Sequence, residues 1–372
     1  MFRNKKLVLL GAGLLLSGGL FFAPRTAEAQ VACFGSGCSV SPIPASAFND
    51  TLAAFKLQFA DPLAKDMVDA SVLAGIGSVP MGGINMDGWT IGLGAIGTVQ
   101  PESFTNVVVP NVGTYLNVKT VGVGLSPRIY GGVNLGMFFD RTPMYRVASR
   151  FEVYLSFFDA KYTYGGEQKI ETLSSGFRPT DRTKISAYYR GIDVRYQLVK
   201  RDRNSNPLFR WNGMDIGIGL HQTRQDISYY QVNSSIQIAQ FSGGQIVWNG
   251  NNQATMKTDL TSVPIEFMTG IQLLYFMNLN VGGGVSINKG STNFSVNRYG
   301  PVFLASDLDK VIGTSVPDAN LFLNVPGDGP VEQYTPFGRV GLTFNIWVVK
   351  LDIEAMTAGN VRGVQVGLRT EF

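Results

Sequence analysis

The chain has 372 residues, of which only 16% are charged, against about 25% in typical soluble domains. Four cations and one acid lie within the first 29 residues, so the rest of the chain is almost neutral and has no block of Lys or Arg that would attract nucleic acid. With 44 Gly, 24 Phe and 14 Tyr but one His, the composition disfavours an ordinary soluble enzyme and favours a β-rich protein of the cell envelope.

Residues 1–29 have the features of a secretory signal peptide. Arg3, Lys5 and Lys6 form a positive start, residues 7–22 are apolar and uncharged, and Ala27 and Ala29 supply the small side chains of a cleavage site. An uncleaved membrane anchor is the alternative, but the apolar run is shorter than the roughly 20 residues that span a bilayer. We therefore expect export and cleavage before Gln30.

Two cysteines, Cys33 and Cys38, follow the cleavage site closely. Because an exported chain enters an oxidising compartment, we predict a local disulfide between them. The alternative is a lipoprotein acylated at Cys33, but the three preceding residues lack the leucine that usually precedes such a site.

Residues 30–87 are predicted as an N-terminal periplasmic or plug segment with a helix over 46–70. Six apolar residues recur at steps of three and four, as on one face of an amphipathic helix, namely Phe48, Leu52, Phe55, Phe59, Leu63 and Met67. Pro62 should bend or split this helix. The helix is expected either to plug or close a barrel from within or below, or to pack outside it.

From residue 88 to residue 372 the hydrophobic period changes to two. Apolar residues alternate with polar or small ones over residues 88–99, 121–139, 146–158, 192–198, 214–220, 263–273, 279–287 and 340–348. Repeated segments of about ten alternating residues are typical of a transmembrane barrel with apolar residues outward. We predict an all-β fold, a transmembrane antiparallel up-and-down β-barrel with an even number of strands, about 10–14.

The connections between these segments alternate in length. Residues 141–144, 277–278 and 358–360 are short, whereas residues 164–183 and 290–335 are long. Short turns on the periplasmic rim and long loops on the outer rim are the usual arrangement in outer membranes. Residues 227–257 and 292–325 leave room for further hairpins.

A set of charged residues has the parity that points into the predicted barrel. We predict that the lumen is lined by Arg146, Arg150, Glu152, Asp193, Arg195, Asp215, Glu266 and Arg339, with Asp352, Glu354, Arg369 and Glu371 on the same face. In a small barrel such charges pair across strands, and in a wider one they line a water channel. Amphipathic aromatic residues near strand ends, such as Trp89, Trp211 and Trp347, are candidates for interfacial girdles.

The last nine residues form one more alternating segment that ends in Phe372. Together with the signal peptide and the alternating body, this ending resembles bacterial outer-membrane β-barrel proteins, although Thr370 stands where a larger apolar residue is common. The resemblance implies outer-membrane localisation, contact with the lipid bilayer, and recognition of Phe372 by the barrel-insertion machinery. It does not single out a subfamily.

No motif in the sequence predicts a cofactor, a metal site or catalysis. The glycines of residues 92–97 match a dinucleotide-binding pattern, but strand residues and Pro101 follow them instead of a helix. His221 is the only histidine, and a Ser–His arrangement would have to use it as the base. The possible calcium ligands are scattered, namely Asp307, Asp309, Asp318 and Asp328.

The sequence therefore predicts a porin-like channel or small-solute transporter. The alternative is a surface-exposed adhesin or binding protein that uses long extracellular loops to contact other cells, a host matrix or a ligand. An outer-membrane enzyme is the least favoured function.

Overall fold

The computed structural model describes residues 28–39, 45–77, 79–80, 86, 88–108, 115–140, 142–165, 181–201, 208–241, 244–305 and 319–372. Their main elements are β1 (Gln30–Phe34), α1 (Ala45–Phe55), α2 (Asp61–Ile76), β2 (Trp89–Val108), β3 (Tyr115–Asn134), α3 (Tyr145–Ala148), β4 (Phe151–Tyr164), β5 (Asp181–Val199), β6 (Phe209–Phe241), β7 (Gly244–Leu273), β8 (Met277–Ala305), β9 (Ala319–Pro330), β10 (Tyr334–Ile346), β11 (Val349–Ala358) and β12 (Val361–Glu371).

Ten strands close into a ring in the order β8, β10, β11, β12, β2, β3, β4, β5, β6, β7, and β7 pairs with β8 to complete it. All the pairings are antiparallel. Strand β9 pairs with the far part of β8, and β1 pairs with β9. The predicted antiparallel β-barrel is confirmed, with a strand number at the lower end of the expected range. Closure lets neighbouring strands satisfy each other's backbone groups.

Side chains alternate between the outer surface and the lumen, as the sequence predicts. In β12, Val364, Val366 and Leu368 are about half exposed, whereas Gln365 and Arg369 are buried at 2%. The same outward apolar pattern recurs around the ring, for example at Leu93, Ile129, Leu155, Ile192, Ile218, Phe267, Val285, Leu342 and Ile353. These residues form a belt whose exposure suits lipid contact.

The two rims of the barrel differ. At one rim the connections include residues 274–276 and 347–348, and β12 ends beside the start of β2; we call it the short-turn rim. At the other rim, the long-strand rim, β6 has 33 residues, whereas β12 has only 11. At about 3.3 Å per residue, the difference amounts to roughly 70 Å of additional strand at most.

Three predicted alternating segments run past the ends of the observed strands, all at the short-turn rim. Two predicted connections are also wrong, because residues 277–278 belong to β8 and residues 290–335 contain the outer part of β8 and all of β9. The alternation over 121–139 continues into a 3-10 turn at Leu135–Phe138, and the segment 146–158 becomes a strand only at Phe151, because Tyr145–Ala148 is helical. The segment 340–348 turns at Trp347, whose φ is 59°. Apolar residues continue past the strand ends because the chain stays at the edge of the apolar belt, so hydrophobicity alone does not mark the turn.

The N-terminal helix is longer than predicted and is not a single α-helix. Helix α1 passes through five π-helical residues, Lys56–Ala60, into α2, which ends at Ile76 instead of residue 70. Pro62 lies in the first turn of α2, where its missing N–H is tolerated. No helix in the described part of the chain combines the length and apolarity that a membrane crossing requires.

Helix α2 lies inside the barrel. Val68, Leu73 and Ile76 are at most 1% exposed, and they pack with inward residues of the wall such as Ile96 and Met356. Because the wall surrounds α2, both apolar and polar faces of the helix are buried, which explains why its amphipathic pattern fades after Met67.

The chain passes through the barrel from the long-strand rim to the short-turn rim. Strand β1 lies beside β9 beyond the apolar belt, Asp66 contacts Thr120, and Met86 contacts Glu152 near the start of β4. Gly88 then reaches the short-turn rim, where β2 begins. We call the described residues of 61–86 the plug.

Candidate functional site

The centre of the lumen holds a cluster of four wall side chains that we call the lumen clamp: Arg195, Glu266, Arg339 and Glu354. Glu266 accepts from Arg339 at 3.0 Å and lies 3.5 Å from Arg195, and Arg339 also donates to Glu354 at 2.5 Å. The side chains come from β5, β7, β10 and β11, so the cluster ties distant strands together across the lumen.

The clamp also holds the plug. The carbonyl oxygen of Val79 accepts from Arg195 at 3.1 Å and from Arg339 at 3.0 Å, and Arg195 donates to the carbonyl of Pro80 at 3.4 Å. Both arginines are at most 4% exposed. Buried charges are stable only when paired and hydrogen-bonded, and the plug backbone supplies acceptors that the wall alone does not.

A second group of contacts fixes the plug nearer the short-turn rim. Glu152 accepts from the backbone N–H of Met86 at 2.8 Å, from Gln197 at 2.7 Å and from the hydroxyl of Tyr154 at 2.9 Å. The guanidinium of Arg195 lies over the ring of Tyr154, 4.9 Å from its centroid. This carboxylate therefore connects the end of the plug to β4 and β5.

The C-terminal end of α2 is bound by another buried arginine. Arg128 on β3 donates to the carbonyl oxygen of Ala74 at 2.6 Å and to the hydroxyl of Tyr189 at 3.1 Å. A cation at a helix C-terminus is favourable because the last carbonyls are otherwise unpaired. Arg128 was not among the predicted lumen residues, although its position on the inward parity of β3 could have identified it.

The middle of α2 fits closely against glycines of the wall. A side chain on Gly124 would approach the carbonyl oxygen of Ala70 to 2.6 Å, and one on Gly122 would collide with the backbone of Asp66. The carboxylate of Asp66 accepts from Thr120 and Gln100, each at 2.7 Å. The backbone of α2 thus packs directly against glycines and small side chains of the wall, which leaves little room between helix and wall.

A third charged group, near the end of β12, joins strands within the wall. Arg369 donates to Asp352 at 2.9 Å and to Glu371 at 2.8 Å, and Glu371 also accepts from Lys350 at 2.5 Å. Asp352 accepts from Thr343 at 2.6 Å. These contacts join β10, β11 and β12 beside the seam where β12 meets β2.

Six of the eight predicted lumen residues lie inside the barrel and are less than 9% exposed: Glu152, Asp193, Arg195, Asp215, Glu266 and Arg339. For Arg146 the prediction is wrong, because this residue is exposed on α3 at the short-turn rim. Arg150 precedes β4 and donates to the carbonyl oxygens of Gln197 and Leu198, so it binds the end of β5 and does not line the lumen.

His221 is buried in the lumen at 1% exposure, and its Nε2 lies 2.8 Å from Asp193 Oδ1. A side chain on Gly191 would touch both His221 and Ser156, so a serine does lie in this neighbourhood. In the described part of the chain, no group of three or more His, Cys, Asp or Glu is arranged to hold a metal ion. Asp307, Asp309 and Asp318 lie outside the described residues, and Asp328 belongs to β9.

Cys33 of β1 forms the predicted disulfide with Cys38, at the long-strand rim. Phe372 stacks on Trp89 with 4.5 Å between ring centroids, and the two residues exchange backbone hydrogen bonds of 3.0 Å. Exposed aromatic residues surround the short-turn rim, namely Trp89, Tyr145, Trp211, Phe276 and Trp347. Tyr189 and Tyr229, in contrast, point into the barrel.

These features define a ten-stranded β-barrel whose lumen is occupied by its own N-terminal segment. The chain belongs to the Lsa36-like family, whose sequence model matches residues 26–372. No curated protein matches the chain.

The chain is similar to several solved structures at low identity and low TM-score. The translocator domain of the autotransporter NalP from Neisseria meningitidis is 8% identical with a TM-score of 0.27, and the match covers 77% of this chain and 88% of that one. The toluene transporter TbuX from Ralstonia pickettii is 9% identical with a TM-score of 0.22, covering 80% and 97%. LpxR from Salmonella typhimurium is 10% identical with a TM-score of 0.22, covering 75% and 100%. At these TM-scores no site or activity can be transferred.

Proposed function

We propose that this protein is a surface-displayed binding protein, held in the bacterial outer membrane by a barrel that its own N-terminal segment keeps closed. The observation that carries the proposal is the contrast between the two ends of the barrel: the clamp and plug fill the lumen, whereas strands with exposed aromatic and basic residues extend beyond the apolar belt. The short-turn rim then faces the periplasm.

The binding surface that we propose is the outer β4–β5 hairpin, residues 159–164 and 182–186. On one of its faces Tyr162, Tyr164 and Ile185 are 61%, 70% and 42% exposed. On the other face Lys161 and Lys184 are exposed. Tyr is enriched in protein interfaces because it combines apolar area with a polar group. The segment that connects these strands, within the predicted loop 164–183, lies largely outside the described residues.

The test uses cells that display the full-length protein and an immobilised extracellular-matrix extract as the probe. We expect Tyr162→Ala with Tyr164→Ala to reduce adhesion about ten-fold, the loss of one or two interface hot spots. Tyr145→Ala is the matched control, because Tyr145 is also exposed but lies at the short-turn rim. Equal adhesion of all three proteins, at equal surface amounts, would reject the proposed surface.

A channel is the second candidate function, and the mixed charges of the lumen are the observation that favours it. In such a channel the plug would have to leave the clamp before solutes pass. Planar-bilayer recordings of the unmodified protein separate the two candidates. A binding protein with a closed barrel gives no stepwise conductance, whereas repeated opening steps would favour the channel.

The remaining expectations fit the same proposal. The apolar belt would contact lipid, and Phe372 would be read by the barrel-insertion machinery and then close the seam against Trp89. Residues 1–29 would act as the signal peptide. We propose no enzymatic role, because the Asp193–His221 pair is enclosed between the wall and the plug; replacing His221 by Gln is expected to leave adhesion unchanged.

A further inference from the structure

The outer half of the barrel contains an apolar cavity of about 220 Å³ between the plug and the wall. Leu63 and Met67 of α2 form one side, and Ile227, Ala254, Met256 and Phe294 of β6, β7 and β8 form the other. This volume exceeds the roughly 150 Å³ of an apolar cavity that binds benzene. The size and lining therefore suit an uncharged apolar molecule.

The ladder between β3 and β4 is shorter than the two strands themselves. Strands β3 and β4 pair only from Ile129 with Phe157 to Asn134 with Glu152, although β2 pairs along β3 as far as Tyr115 and β5 pairs along β4 as far as Tyr164. Among the described residues, 121–128 of β3 and 158–164 of β4 therefore form no strand ladder across this junction. We call these two strand edges the β3–β4 split.

The edge of β3 at the split is satisfied by groups other than a neighbouring strand. The N–H of Val123 donates to the Met67 sulfur at 3.2 Å, and the carbonyl of Leu125 accepts from Gln225 at 2.7 Å. Pro127 has no N–H to satisfy. A strand edge without a neighbouring strand is costly in lipid unless its polar groups find other partners. The hydrogen bonds to Met67 and Gln225 therefore stabilise the split as part of the folded wall.

The split lies beside the apolar belt, and Met67 contacts both its β3 edge and the cavity. Val123 and Leu125 are outward-facing, exposed and apolar on β3, whereas Asp159 and Lys161 follow the last outward apolar residue of β4. Met67 touches the edge of β3 and also lines the cavity. Met67 thus connects the lining of the cavity with a wall edge at the outer boundary of the belt.

We propose that the cavity binds a small uncharged apolar molecule, alkyl or aromatic, which enters laterally from the outer leaflet through the β3–β4 split past Met67. The bilayer concentrates such molecules beside the split, and the cavity offers no charged side chain to hold a polar group. Methionine suits the entrance because its unbranched side chain changes rotamer easily and packs well against aromatic groups.

The test uses the full chain in phospholipid nanodiscs and an apolar aryl-diazirine photolabel that dissolves in the bilayer. Mass spectrometry should find label on Met67 and Met256, of which Met256 is only 8% exposed and faces the lumen. Excess toluene should compete this label away, while belt residues such as Leu342 stay labelled. Ala254→Phe, which fills the cavity, should reduce labelling of Met256 about ten-fold. Ala355→Phe, on the outer face of β11, is the matched control.

A second arm tests the route. Cysteines at Leu125 and Lys161, joined by a flexible bis-maleimide, bridge the split and should prevent cavity labelling; cysteines at Gly131 and Leu155, which already pair, should not. Absent or non-competable label in the unmodified protein would overturn the site, and persistent label in the bridged protein would overturn the route. Neither result depends on whether Ala254→Phe folds.

Discussion

The half of the barrel near the short-turn rim and the half near the long-strand rim handle charge in different ways. In the first half, Arg195, Arg339 and Glu266 are buried and joined to each other and to the plug. In the second half, pairs such as Arg224 and Asp259 are more than half exposed. Arginine and acidic residues therefore close the lumen where they are buried, and they form exposed surface pairs where they are not.

The largest expected effect comes from breaking the clamp. Arg339→Met leaves Glu266 and Glu354 buried without their shared cation, which should lower the free energy of unfolding by about 3–5 kcal/mol. Arg224→Met removes an exposed pair whose attraction is screened by solvent, so its effect should be much smaller. Urea unfolding of both variants in the same lipid measures the difference. Equal losses would show that the clamp is not a buried network.

A smaller effect is expected from crowding the plug. Gly124→Val places methyl groups against the carbonyl of Ala70, and overpacking of this kind costs about 1–3 kcal/mol. We expect a lower unfolding midpoint together with bilayer conductance, because α2 no longer seats fully. Gly97→Val is the control, since a side chain there meets nothing within 4 Å. Conductance that stays absent in Gly124→Val would argue against displacement of the plug.

The smallest effect concerns the seam between β12 and β2. Phe372→Ala removes the stacked pair with Trp89, and an aromatic pair contributes about 0.5–1.5 kcal/mol. The heat-modifiable folded band should decrease in the membrane fraction. Phe138→Ala, an exposed phenylalanine of the short-turn rim, should assemble normally. Unchanged assembly of Phe372→Ala would leave the terminal residue without a role.

The sequence predicted the barrel because a period of two is a property of each strand alone. It also placed Arg195, Glu266 and Arg339 on the inner face, since parity fixes the direction of a side chain. It did not predict that these residues meet, because they come from β5, β7 and β10 and their contact depends on ring closure. The acceptor that unites them, the carbonyl of Val79, belongs to the backbone and has no sequence signature.

The errors have a related cause. Arg146 has the parity of the lumen face, but the chain is helical there, so the alternation does not carry its usual meaning. The extent of α2 was underestimated because a helix enclosed on all sides no longer shows an apolar stripe. The β3–β4 split arises because the ladder between β3 and β4 ends at Ile129 and Phe157. In the sequence only Pro127, which cannot donate to a ladder, indicates this end.

The central claim is that the N-terminal segment lies inside the barrel. Asp66→Cys and Thr120→Cys replace side chains that now share a 2.7 Å hydrogen bond, in a chain whose own cysteines are changed to Ser. Mild oxidation of the membrane-embedded protein should join them almost completely, whereas Asp66→Cys with the outward Thr357→Cys should stay reduced. If instead both pairs remain open and the thiol at position 66 reacts freely with an impermeant maleimide, the plug does not occupy the lumen.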